Sequence, residues 1–448
     1  MFARITFVFV LLVPRAAWSQ VEPGATGGFE APDIDTQLMM TPPPVSGQAY
    51  PNTFGSETRS NYLLTSLTVN GGYAENVLAE NALLTATSVN DANFSIFPTF
   101  AISRSTPRQQ ETLTYSPSFI FYQPTSVLDT VDQGAALTFQ DRLSPTFALS
   151  LQDSFYRTSD VFDQSYLFSA GGITGSTQTL ASTVIAPFGQ QLNNIANAVI
   201  SYQFGRDGMV GGGGYYSIAD FSNSANASGI SNSSGSGASA FYNRRLSRAQ
   251  YIGFDYQYSR TISELMNQQS ETQTHSLLPF YTFYFARAFS FSVSAGVQRA
   301  DVSLPQSLTS DLWSPSAVVS VGWQTIRAYI AANYTHTVNS WAGLFGAFTV
   351  NSFGASGGWK VARLWTAGLS VYYTNTTNAT PVLITLAGGT TIAGQASVTH
   401  SLGEHFTASC GYQRLHQEYP DILIISENPD SNQEYGRIAY EFRKPLGR

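Results

Sequence analysis

From about residue 60 to its C-terminus, the chain alternates apolar and polar side chains with a period of two. In residues 289–298, Phe, Phe, Val, Ala and Val share one face of an extended chain, and Ser, Ser, Ser, Gly and Gln share the other. Such alternation predicts β-strands with two unlike faces. Counting the segments predicts 18 strands, and 16 is the alternative because the first two hairpins alternate least regularly. Other clear cases are 147–152, 252–259, 365–374 and 437–442.

The connections between these segments alternate between short turns and longer loops. Short turns on one side and long loops on the other are typical of bacterial outer-membrane barrels, in which the short turns face the periplasm. The pattern predicts an all-β fold, a transmembrane antiparallel β-barrel of about 18 strands. The predicted short turns are 142–145, 205–208, 246–249, 286–288, 325–327, 361–363 and 402–405, and the predicted longer loops are 157–193, 221–236, 262–271, 302–313, 339–345, 376–386 and 418–431.

The composition agrees with a surface that meets lipid on one face and water on the other. Charged residues make up 11% of the chain and aromatic residues 13%, with a mean hydropathy of −0.06. Soluble proteins usually carry about 25% charged residues. A soluble β-sandwich would carry Lys and Glu on its outer face, whereas the polar faces here are Ser, Thr, Gly, Asn and Gln. A β-helix would show a fixed repeat, and the sequence has none.

The N-terminus predicts export. A short apolar run follows Arg4, and Ala17 and Ser19 are the small residues that precede a cleavage site, so residues 1–19 read as a signal peptide. Residues 20–59 are rich in Pro, Gly and Thr and lack periodicity, which predicts a short periplasmic extension. The predicted barrel domain is 60–448.

The chain has a signal peptide, alternating strands, arginine-bearing short turns, polar loops and a last strand with Tyr440 and Phe442. In these features it resembles Gram-negative outer-membrane porin-like proteins. The resemblance implies an outer-membrane channel for passive diffusion of small hydrophilic solutes. One departure is that six residues, 443–448, follow Phe442, where the family usually ends on an aromatic residue. The alternatives are the barrel of a polysaccharide or protein export system and a structural or adhesive barrel.

Charged and aromatic residues divide along the predicted topology. Arginines, with Arg437 counted among them, lie near predicted periplasmic turns, and carboxylates lie near predicted outer loops. Aromatic residues near the strand ends, including Tyr156, Phe221 and Tyr251, predict two belts at the membrane interfaces. The connection 157–193 has apolar stretches, so we expect it to leave water in part; it either narrows the lumen or packs over the mouth or against a neighbouring subunit.

No enzyme site is predicted from the sequence. The five histidines lack metalloprotease spacing, Cys410 is the single cysteine and is expected to face lipid, and residues 211–214 form a glycine run without a phosphate-loop lysine. We therefore predict no catalytic, cofactor-binding or metal-binding residue. Glycines inside a strand indicate a bend or close packing instead.

The net charge of −7 argues against a nucleic-acid partner, since phosphate binding requires a basic surface. The expected partners are outer-membrane lipid and lipopolysaccharide and the barrel assembly machinery. The prediction also leaves room for a homo-oligomer and for a periplasmic partner that binds residues 20–59.

Overall fold

The computed structural model describes residues 61–75, 90–106, 108–123, 126–159, 184, 190–222, 229–265, 268–285, 289–305, 308–325, 327–340, 343–379, 388–420 and 430–446. Within them, eighteen antiparallel strands follow one another around a single sheet. Their bounds are β1 Tyr62–Glu75, β2 Asp91–Ser105, β3 Gln109–Gln123, β4 Thr130–Asp141, β5 Phe147–Thr158, β6 Gln191–Phe204, β7 Gly208–Phe221, β8 Asn232–Ser247, β9 Gln250–Leu265, β10 Gln268–Phe285, β11 Phe289–Leu304, β12 Leu308–Gln324, β13 Ala328–Asn339, β14 Phe348–Ala362, β15 Trp365–Asn378, β16 Gly389–Ser401, β17 Phe406–Glu418 and β18 Asp430–Pro445.

The sheet closes on itself, because β1 pairs with both β2 and β18. The closing ladder runs from Tyr62 opposite Pro445 to Glu75 opposite Asn432. Closure leaves no unpaired strand edge. The prediction of a closed all-β barrel is confirmed, with eighteen strands and not sixteen.

The predicted signal peptide and extension, residues 1–19 and 20–59, lie outside the described residues. In the described part of the chain, no helix has the length and apolar character that a membrane crossing needs.

Large apolar side chains point away from the barrel on strand after strand. Leu369 is 59% exposed, Ile438 56% and Phe254 52%. Such side chains face lipid in a barrel that spans a membrane, where only strands of a closed sheet keep their backbone groups paired. Cys410 is exposed on this face, as predicted.

The inner face carries small polar side chains that are deeply buried. Ser294 and Thr68 are both 0% exposed. The Gln298 Nε2 on β11 donates to the Val338 carbonyl on β13, 2.8 Å away, so side chains reach across β12 and the wall bends sharply there. The inside of a bend has little room, which explains why Ser and Thr fill it. A uniformly wide lumen, as expected for eighteen strands, is therefore absent along this arc.

Two predicted outer loops, 262–271 and 302–313, are wrong. β9 and β10 are separated only by 266–267, and β11 and β12 only by 305–307. Outward-facing ion pairs hold these extended hairpins together. Arg260 Nε and Nη2 lie 2.7 and 2.8 Å from the two Glu271 oxygens. Arg299 likewise donates to Asp311. These segments were predicted as loops with carboxylates in or near them, but bidentate pairs across a ladder are compatible with strands.

A pair of adjacent residues on β15 tests the two faces. Val371 is 40% exposed on the outer face, and its neighbour Ser370 faces inward with partial exposure. An arginine on the lipid face near mid-membrane costs about 2–4 kcal/mol. We expect Val371→Arg to lower the folded fraction, seen as heat-modifiable migration and as the urea midpoint, and Ser370→Arg to fold like the wild type. Equal losses in both variants would contradict the assignment of faces.

Candidate functional site

An apolar cluster lies across the interior at the end of the barrel that carries the longer loops. It joins β7, β14 and the residue after β17, and β7 and β14 are seven strands apart along the wall. Contact between such distant strands requires side chains that meet inside the barrel. We call these residues the outer cluster: Val184, Ala219, Phe221, Ile230, Leu344, Phe348, Val350 and Tyr419.

The described residues between β13 and β14, Ser340 and 343–347, fold inward and support the outer cluster. The Ser231 amide donates to the Gly343 carbonyl at 3.1 Å, and the Ser263 hydroxyl donates to the Ser340 carbonyl at 3.0 Å. Leu344 and its neighbour Phe345 are 5% and 7% exposed. This connection was predicted as an ordinary outer loop, and the structure corrects that. Its run of apolar residues was the signal that could have identified it.

Glycine is required where this segment turns. Gly343 has φ of 92° and Gly346 φ of 102°, in the left-handed region that residues with a Cβ rarely adopt. A Cβ on Gly343 would also lie 3.0 Å from the Cβ of Val184. The backbone can therefore approach Val184 only without a side chain at 343.

Tyr419 anchors the other side of the outer cluster. It is 1% exposed, and its hydroxyl hydrogen-bonds with the Thr391 hydroxyl at 3.0 Å. Burial raises the pKa of the Tyr419 phenol. The ring therefore stays neutral and can close an apolar seal while its single polar atom remains satisfied.

The predicted constriction by 157–193 is met in part by the described residues. Val184 belongs to the outer cluster and is fully buried. Residues 160–183 and 185–189 lie outside the described chain, and their role stays a prediction. Phe221, predicted for an interfacial belt, is 3% exposed and points inward; Tyr251 is 3% exposed and also points inward. Near a strand end, a shift of one residue in the register turns a side chain from the lipid face to the lumen face.

A small polar cavity lies against the sharply bent arc of β9–β13. The cavity has a volume of about 40 Å³, which is room for on the order of three waters. Gln298 is fixed beside it, because its Oε1 accepts from the Thr337 hydroxyl at 3.0 Å and from the Val338 amide at 2.9 Å. The lining is uncharged: Tyr215, Gln257, Ser259, Thr261, Thr274, Ser276, Leu278, Gln298, Ser316, Val318, Thr335, Thr337, Val338 and Asn339.

A second apolar cluster covers the wall toward the short turns. Met209, Phe241 and Tyr251 belong to the consecutive strands β7–β9, so this cluster lines one side and does not cross the interior. Gly211 lies under Phe241, whose ring would be 2.3 Å from an added Cβ. The glycine run 211–214 thus allows close packing, as expected.

The inner wall is more accessible on other strands. Ser150 on β5, Ser370 on β15 and Gln395 on β16 all face inward with partial exposure. Hydroxyls and amides can exchange hydrogen bonds with water and with polar solutes. These strands line the part of the interior that water reaches most easily.

Three carboxylates on the inner face are buried, each at most 3% exposed: Asp91, Asp132 and Asp255. Asp132 accepts from the Thr158 hydroxyl at 2.9 Å, and Asp255 accepts from the Gln257 amide at 2.7 Å. Arg437 was predicted near a periplasmic turn, but it lies at the middle of β18 and faces inward. The odd-numbered residues of β18 point to the lumen, as the alternation over 437–442 predicts, but β18 continues to Pro445, so Arg437 is far from the turn.

No metal centre is evident in the part of the chain that the structure describes, where no three His, Cys, Asp or Glu side chains converge. His275 and His336 lie on the outer face: the Tyr256 hydroxyl lies 2.8 Å from His275 Nδ1, and Asn351 Oδ1 lies 2.7 Å from His336 Nδ1.

Comparisons with known proteins give likenesses of shape at low identity. No family model and no curated protein matches the chain. The structure is similar to OccAB4 of Acinetobacter baumannii, with 9% identity, 87% of this chain and 100% of that chain covered, and a TM-score of 0.42. The structure is also similar to OpdK of Pseudomonas aeruginosa with vanillate, at 9% identity, with 85% of this chain and 99% of that chain covered and a TM-score of 0.42. It is similar to the FrpB iron transporter of Neisseria meningitidis in its apoprotein form, at 8% identity, with 87% of this chain and 82% of that chain covered and a TM-score of 0.45. The function proposed below rests on this barrel's own residues.

Gly343 tests whether residues 343–347 are held inward by their own backbone conformation. A left-handed non-glycine residue costs about 1–2 kcal/mol, and the Cβ would press on Val184. We expect Gly343→Ala to loosen the segment, so that chymotrypsin cuts the folded barrel faster after Phe345. The matched control is Gly436→Ala, where an added Cβ meets nothing within 4 Å. Unchanged cleavage of Gly343→Ala would show that the segment does not depend on this turn.

Proposed function

We propose that the protein is an outer-membrane channel that passes small hydrophilic solutes passively, and that it is not an enzyme. The observation that carries the proposal is the division of the wall into two faces. The outer face presents large apolar side chains such as Leu369 and Ile438, and the inner face presents hydroxyls and amides along most strands. Such a wall is suited to separate lipid from a hydrated interior.

Buried polar groups on the inner face support hydration of the lumen. The hydroxyls of Ser66, Thr68 and Ser294 have no hydrogen-bond partner among the described residues. A buried hydroxyl without a partner costs free energy, and an ordered water is the usual remedy. A barrel that served only as an anchor could fill these positions with apolar side chains at no such cost.

We propose that the outer cluster closes the channel in this conformation. Apolar side chains that meet across an interior exclude ions and polar solutes, because passage would require the solutes to shed water. Opening then requires Phe348 and the segment 343–347, which carries Leu344, to move. We propose that this segment is the movable part, since it enters the barrel through a few hydrogen bonds and two glycine turns.

Lipopolysaccharide is the proposed partner in the outer leaflet. Arg260, Arg299 and Arg414 point outward near the loop ends of β9, β11 and β17. This level lies toward the loop end of the barrel, where a lipid with anionic, sugar-bearing headgroups would meet it. Each arginine already pairs with a carboxylate, so headgroup phosphates would share these guanidinium groups.

A planar-bilayer recording tests the channel. We expect the wild type to conduct in rare, brief openings, and the double variant Leu344→Ser, Phe348→Ser to raise the open fraction about tenfold or more, since removing two buried apolar side chains costs the closed state several kcal/mol. The control is Leu402→Ser, a 55% exposed residue in the turn between β16 and β17.

If the wild type and the double variant both assemble, as shown by heat-modifiable migration, yet neither conducts, the protein is not a diffusion channel. An export or structural role would then take its place.

A further inference from the structure

We propose that Arg437 forms an anion-contacting site at mid-height in the lumen, so that the channel favours small solutes bearing a carboxylate or phosphate group. This inference rests on the proposed function for its transport consequence. The site itself stands on the geometry of four residues on three neighbouring strands: Gln395, Gly411, Tyr435 and Arg437.

Tyr435 forms a fixed platform on the inner wall. Its ring lies over Gly411, where an added Cβ would be 2.5 Å from the ring, so only glycine permits this position. The Gln395 Nε2 donates to the Tyr435 hydroxyl at 2.9 Å, which fixes the far end of the ring. Tyr435 is 6% exposed as a result. The close packing on Gly411 and the hydrogen bond to the Tyr435 hydroxyl together fix the position of the ring.

Arg437 covers the lumen side of this platform. Its Cζ lies 4.7 Å from the centroid of the Tyr435 ring, a cation–π geometry. The ring therefore holds the guanidinium group on the inner face of the wall at the middle of β18. Lysine could not present the same planar set of donors.

The charge of Arg437 is not neutralised within the described residues, where it forms no ion pair and its Nε has no hydrogen-bond acceptor. The nearby Glu441 pairs with Arg443 at 3.2 Å. Asp132 and Asp255 are buried and accept hydrogen bonds from their own neighbours. A guanidinium with unused N–H groups can donate to two oxygens of one carboxylate or phosphate.

The surroundings of Arg437 are uncharged and polar. Asn70 on β1 lies directly opposite it in the ladder, and Ser409 lies opposite it on β17. Asn70 is held by its own hydrogen bond to the Ser95 hydroxyl at 3.2 Å. A solute that binds Arg437 would therefore meet hydrogen-bonding groups on both sides and no competing carboxylate from these two strands at this height.

Ion selectivity provides the first test. In a bilayer with a potassium chloride gradient, we expect the reversal potential of the conducting Leu344→Ser, Phe348→Ser background to show preference for chloride. Adding Arg437→Gln should bring the permeability ratio near one, and Arg437→Glu should invert it. The matched control is Arg104→Gln, which removes an outward-facing arginine that lies 3.7 Å from Glu111. If conductance is present and Arg437→Glu leaves the ratio unchanged, the site is refuted while the channel stands.

Direct binding provides a second test that does not need conductance. Equilibrium dialysis of the detergent-solubilised wild type against radiolabelled inorganic phosphate should show binding that weakens about tenfold or more in Arg437→Gln, the value of one charged hydrogen bond. Tyr435→Leu should weaken binding with the charge retained, since the platform is lost. If no variant conducts, the channel fails, and dialysis decides the site: equal binding by wild type and Arg437→Gln overturns it.

Discussion

The structure depends on one constraint, that backbone amides and carbonyls in lipid must find partners within the protein. The ladder between β1 and β18 meets it, because this pairing removes the last two strand edges. Once the sheet is closed, each strand has one face toward lipid and one toward the interior. The alternation of Leu and Val with Ser and Thr follows from that closure, and so does the low content of charged residues.

The inner face shows how curvature selects side chains. Where β10–β13 bend sharply, Gln298 reaches two strands along and Ser294 is fully buried, so only small residues fit. At the loop end, larger apolar residues such as Phe348 and Tyr419 pack together inside the barrel. The barrel therefore combines a polar wall with an apolar cluster, to which residues 343–347 contribute Leu344.

Strand positions were predictable because the alternation of apolar and polar residues is a local pattern that occurs in each of the eighteen strands. The errors came where a local pattern has two readings. Glu271 was placed in the predicted loop 262–271, but it pairs with Arg260 across a ladder. Phe221 and Tyr251 suggested interfacial belts, but the register turns both inward. Arg437 was grouped with the arginines near the turns, and its contact with Tyr435, whose ring lies over Gly411, is not visible in the sequence.

The sequence by itself determined the fold class, the eighteen strands and the lipid-facing positions, because alternation along a strand is read from neighbouring residues. Tertiary structure alone decided which side chains meet inside the barrel. Val184, Phe221, Leu344 and Tyr419 come from distant parts of the chain and form one cluster only after the sheet has curved. The platform under Arg437 likewise needs three strands in register. Contacts across a closed sheet depend on curvature and register, and neither is encoded in any single segment.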